Sequence, residues 1–95
     1  MKIVDREDDK ICVSGEVNLD NLSDFCQSLK SVLKPNDVVS ISFESLYSKG
    51  SAILALLIFL RKAEKELSAV VTFKSCSTKV HEMARLAGLS KDLGL

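Results

Sequence analysis

The chain has 95 residues, 46% hydrophobic and 27% charged, with 13 Lys plus Arg against 13 Asp plus Glu. That length suits one domain, spanning 1–95, with a two-layer core and nothing left for a second. The balanced charge excludes a global field that would draw the protein to nucleic acid or anionic lipid.

Met1 to Val4, a charged turn from Asp5 to Asp9, and Lys10 to Ser14 read as two short strands, with Asp8-Asp9 supplying the turn. Ile11 and Val13 share one face, Cys12 and Ser14 the other, and Gly15 is expected to end the strand. From Asn18 or Asp20, either of which can cap a helix, apolar residues recur at Leu19, Leu22, Phe25, Cys26, Leu29, Val32 and Leu33. This is the spacing of a one-sided helix, and Pro35 stops it. Val38 to Phe43 then alternates as a strand with Val39, Ile41 and Phe43 on one face, and Glu44 to Lys49 is a loop leading to the next helix.

That helix, entered through Gly50-Ser51, carries an unbroken apolar run from Ala52 to Leu60, with charge only from Arg61 onward. The run is far shorter than the roughly 20 residues a membrane span needs, so direct membrane insertion is not expected. At about 100° per residue, Arg61, Lys62, Glu64 and Lys65 oppose a core stripe of Leu56, Phe59, Leu60, Ala63 and Leu67. Extending the charged side backward brings up Leu54, Leu57 and Ile58, so the first two turns are apolar all round. Either another part of the chain covers them or a partner does. Few segments are left to act as a lid, and a docking face is the expectation. Ala69 to Phe73 forms the next strand. Ser77 or Thr78 caps a last helix carrying Val80, Met83, Ala84 and Ala87, closed by Gly88, and Ser90 to Leu95 is a frayed turn.

The order is β-β-α-β-α-β-α, and the alternation after residue 38 calls for parallel pairing. Chemistry is sparse. Cys12, Cys26 and Cys76 are odd in number and form no C-x-x-C arrangement; with no secretory leader they read as reduced cytosolic thiols, mostly buried. A zinc site would have to gather all of them with His81, the sole histidine. Lys49-Gly50-Ser51 lacks the upstream glycine and the residue order of a phosphate-binding loop, and the Asp5 to Asp9 turn lacks the spacing of a calcium loop. No catalytic, metal or cofactor site is expected, and a nucleotide- or lipid-binding module has no feature in its favour. Ser51, where loop becomes helix, can cap free N–H groups; a phosphate there would add nearly two negative charges beside the apolar turns and oppose docking.

The element order and three local patterns resemble the STAS domain family, the fold of bacterial anti-sigma factor antagonists, and within it the small stand-alone subunits of Mla-type phospholipid ABC transporters. Ser14-Gly15-Glu16-Val17-Asn18 is similar to the family's S-G-E-L-D, Leu54-Ala55-Leu56-Leu57 to its L-A-L-L-L helix opening, and Lys79-Val80 through Ala84-Arg85-Leu86-Ala87-Gly88-Leu89 to the K-V-x-x-L-A-K/R-L-x-x-L ending of the Mla subunits. Counting back without gaps, the resemblance puts Ser51 on the Ser/Thr that is phosphorylated in sporulation-type antagonists and contributes to the partner contact in the Mla subunits; Ser48 is a lower-ranked alternative. Gly50 then stands where the family has Asp, which removes a group that helps kinase recognition. Ile53 stands where it has Gly, adding aliphatic surface that favours a constitutive clasp.

The resemblance implies an α/β STAS fold, a mixed sheet of about four strands with helices mainly on one face. It also implies a non-catalytic cytoplasmic adaptor, peripheral at the inner membrane, that binds the ATPase subunit of an Mla-type transporter. The contact is expected at Gly50, Ser51, Leu54, Leu57 and Ile58, with Arg61 and Lys65 at the rim. The alternative is an anti-sigma factor antagonist switched by a kinase acting on Ser51.

Overall fold

Alternating side chains set the sheet. In the computed structural model, which describes residues 4–48 and 50–95, β1 (Val4–Glu7) and β2 (Lys10–Val17) form a hairpin turned at Asp8-Asp9. Then follow α1 (Leu22–Val32), β3 (Val38–Ser48), α2 (Ala52–Leu67), β4 (Val70–Lys74), α3 (Thr78–Leu86) and a short α4 (Ser90–Leu93). The four strands lie in the order β1-β2-β3-β4, antiparallel in the hairpin and parallel thereafter. This is the expected mixed α/β architecture. The first three residues of the strand expected from Met1 lie outside the described residues.

Ile11, Val13, Val39, Ile41, Phe43 and Val71 are buried against the helices, whereas Cys12, Val38, Val70 and Thr72 on the other face are exposed. Cys12 is therefore not one of the buried thiols the sequence suggests. Cys26 and Cys76 are half-buried, and loss of solvent pushes both thiols up, keeping them protonated.

Four boundaries differ from expectation. Gly15 does not end β2; at φ 105° it stays in the strand opposite Leu46, and pairing continues to Val17↔Ser48. That pairing turns the expected loop after Phe43 into strand, with a register shift between Cys12 and Ser14 that gives β3 one extra residue. α1 starts at Leu22 because Asn18 holds the preceding turn: its Oδ1 accepts from the N–H groups of Asp20 and Asn21 at 2.9 and 3.0 Å, and Leu19 is left 78% exposed. The chain end is not frayed, since α4 buries Leu93.

Arg6 anchors the hairpin edge to the far end of α1. Its guanidinium donates to Val32 O at 2.7 Å and to both Asp37 oxygens at 2.7 and 3.1 Å, while Asp37 Oδ2 also accepts from Lys34 N–H at 2.7 Å. The Arg6 hydrogen bond, then the Lys34 N–H, hold the Asp37 carboxyl at about 2 against an ordinary 3.8. A depressed carboxyl stabilises the fold fully above its unfolded value and loses that contribution as pH falls through its folded one. In urea unfolding, wild type should exceed Asp37→Asn by a constant margin above pH 3.8, and the margin should close on descent toward pH 2. A margin that is flat with pH would mean the pair does not form.

Candidate functional site

The loop-to-helix junction after β3 is built from backbone first. Gly50 has φ +73°, and a Cβ placed there would meet nothing within 4 Å, so it is the backbone conformation and not crowding that favours glycine. Ser51 follows as the N-cap of α2; its carbonyl accepts from Leu54 N–H at 3.0 Å, but its hydroxyl makes no capping bond. Both residues are exposed. The hydroxyl expected to cap the helix instead faces solvent.

Beyond that point the expected docking face has to be redrawn. Leu54 is 8% exposed and Leu57 0%, so neither is a surface residue. Ile53, expected to enlarge the aliphatic surface, is 3% exposed and belongs to the core. The lid that the sequence did not reveal is made by neighbours: α2 lies on the sheet, with α1 packed against it as well as α3 and α4. A helix flanked in this way is covered around more than half its circumference.

What remains outward is a narrower stripe. At about 100° per residue, Ser51, Ala55, Ile58, Phe59 and Lys62 fall on one side of α2. Ser51 and Lys62 are exposed, and Ala55, Ile58 and Phe59 are half-buried. Ile58, from the expected set, is thus retained. Ala55 and Phe59 were missed: Phe59 sat on the sequence's core stripe, displaced because the buried arc is centred nearer Leu57 and Leu60. Lys65 is exposed on the flank of this stripe.

Arg61, expected at the rim, is 24% exposed and lines a cleft beside Ile58, but its guanidinium is engaged within the fold. Its Nη1 donates to Glu64 Oε1 at 2.9 Å and Val71 O at 2.8 Å, its Nη2 donates to Leu93 O at 2.9 Å, and its guanidinium lies 4.1 Å from the centre of the Phe73 ring. It ties α2 to β4 and α4.

Clefts lined by described residues border the helix. One of about 590 Å³ runs between α2 and α4, lined by Ile58, Lys62, Lys65, Leu89 and Lys91 among others. The second, about 310 Å³, lies beside Ser51's end of the helix between β3 and α3. Tyr47, 61% exposed, borders it and was hidden from the sequence reading by the mistaken loop. Ser48, the lower-ranked switch candidate, sits at the end of β3, its hydroxyl donating to Gly50 O at 3.4 Å.

A family model described as "Mlab, STAS domain" matches residues 4–95. The chain belongs to this STAS family. No curated protein sequence matches it. Within the STAS domain, Ser14 to Val17 is the far end of β2 and Lys79 to Leu86 lies in α3, so these two motifs frame the junction that carries Ser51. Among the described residues no helix is long and apolar enough to cross a membrane.

Proposed function

We propose that this STAS domain is a non-catalytic adaptor that docks on the ATPase subunit of an Mla-type phospholipid transporter at the inner membrane. Family membership supports the partner class. The observation that carries the reading is the outward stripe of α2, where an unbonded Ser51 hydroxyl heads a row of half-buried Ala55, Ile58 and Phe59. Small and apolar groups in a row on a rigid helix offer area that can be fully dried without moving the fold, at roughly 25 cal/mol per Å² before association costs.

The test is co-purification with the ATPase subunit of an Mla-type transporter. Ile58→Asp should weaken the complex at least tenfold when measured well below the melting temperature of the free variant, which keeps its fold because only part of Ile58 packs against the core. An unchanged affinity removes this face from the contact.

The free Ser51 hydroxyl also favours the second reading, an anti-sigma factor antagonist. A phosphate on that oxygen would sit at the positive end of α2 and in front of the stripe. Incubation with ATP and a candidate serine kinase should then add one phosphate and abolish partner binding. If the ATPase complex forms and no phosphate is gained, the adaptor reading stands alone.

A further inference from the structure

Two strands of the sheet have unequal length where they meet. β3 runs from Val38 to Ser48, but β4 pairs with it only from Val38 to Ser42. After Lys74 the chain turns away through Ser75, at φ 59°, into α3. On the β2 side β3 stays paired to its last residue. On the β4 side no strand among the described residues lies beside the backbone from Phe43 to Ser48. In a parallel strand alternate residues serve opposite neighbours, so half the N–H and C=O groups of this stretch point to an unoccupied edge.

The other free edge in this half of the sheet is treated differently. Along β4, the outward carbonyl and N–H of Val71 are both taken, by Arg61 Nη1 at 2.8 Å and Glu64 Oε2 at 2.6 Å. Edges are normally blocked in such ways because an open one is a template for another strand. Along the upper edge of β3 the one side-chain bond to a strand N–H is a long one, from Glu44 N–H to Ser42 Oγ at 3.4 Å, and beyond it, among the described residues, the edge opens onto the 310 Å³ cleft, whose lining includes Leu46, Ile53, Val80 and Met83, with Lys79 also contributing.

We propose that the upper edge of β3 is a docking site for an extended segment of a protein partner, added as a strand beside Phe43–Ser48. One apolar side chain of that strand would fill the cleft, and an acidic one would face Lys79. The backbone fixes the class of ligand: an edge of alternating donors and acceptors is matched by an extended polypeptide and not by a helix, whose own groups are already bonded. The cleft and Lys79 set its side-chain pattern. This goes beyond the adaptor reading and holds whether or not the partner is an ATPase.

The probe is a random library of twelve-residue peptides displayed on phage and panned against the whole domain, with the selected peptides resynthesised. Enriched peptides should alternate apolar and polar residues with one acidic position, and should shift the amide resonances of Glu44 to Ser48. Methylating single peptide nitrogens should lower affinity tenfold or more at alternate positions and little at those between, a period that only strand pairing produces. Lys79→Glu, at an exposed position, should reverse the acidic preference. The proposal fails if no peptide is enriched, if those selected bind as helices or on another face, or if affinity ignores N-methylation. It also fails if the domain elutes as a dimer with these amides already protected, since the edge would then belong to a second copy.

Discussion

Replacing Leu57 by alanine should destabilise the domain by about 2–5 kcal/mol, the range for emptying a fully enclosed leucine site. For a chain of this size each kcal/mol moves the midpoint by about 4–8 °C, so melting should fall by on the order of 10–30 °C. Leu57 has no exposed surface and lies on α2 amid Leu56, Leu60 and Ile53, all 3% exposed or less. The surrounding helices and sheet cannot collapse into the space without moving several other buried groups. Lys65→Ala, on the exposed flank of the same helix, should stay within about 0.5 kcal/mol of wild type. Thermal and urea unfolding of both variants measure the contrast. A small loss at Leu57 would mean the helix is not clasped from both sides, and the apolar turns would again be candidates for a partner surface. The result also governs how binding experiments are interpreted. A Leu57 variant that loses a partner has lost its fold first, so contact must be probed at Ile58 and Ser51.

The two periodicities in the sequence carried most of the fold. Alternation at Val39, Ile41 and Phe43 and the helical spacing of Phe25 and Leu29 both name residues that are buried. They did so because each element has one covered face, which its pattern records directly. α2 has more than one. A helix between two others on a sheet shows a wide apolar arc, and a sequence cannot distinguish cover by its own chain from cover by another. Hence Leu54 and Leu57 were assigned to a partner surface. The β3 extension escaped for a different reason. Ser45 to Ser48 sets Leu46 and Tyr47 side by side between serines and so breaks the alternation, and its strand character is set by the partner strand through Gly15↔Leu46 and Val17↔Ser48, a long-range pairing that no local pattern reveals. Ser51 was legible because a loop-to-helix junction is marked locally by Gly-Ser, although the freedom of its hydroxyl was not.

Arg61→Leu should have the second large effect, through the edge of β4. The guanidinium donates to two main-chain carbonyls and to Glu64, and Glu64 in turn receives Val71 N–H at 2.6 Å. The side chains of the pair are 24% and 19% exposed, so water reaches them but does not replace this geometry freely. Removing the cation leaves a carboxylate without its counter-charge and two carbonyls without a donor, a loss of about 2–3 kcal/mol for charged hydrogen bonds of this kind. Glu64→Leu alone should cost less, since Arg61 keeps both carbonyls. The double variant should be less destabilised than the sum of the two, with a coupling of about 1 kcal/mol or more from a cycle of unfolding free energies. Strict additivity would mean the two side chains act independently and the clip is not a unit. A further consequence separates this clip from an ordinary surface ion pair, whose loss changes stability by about 0–1 kcal/mol and nothing else. Without Arg61 and Glu64 the outward groups of Val71 are free, and β4 becomes an open edge flanked by Val70, already 55% exposed. The double variant should therefore associate at concentrations where wild type does not, measured by sedimentation velocity, because the pair that fastens α4 to the sheet is also what keeps a second strand from pairing there.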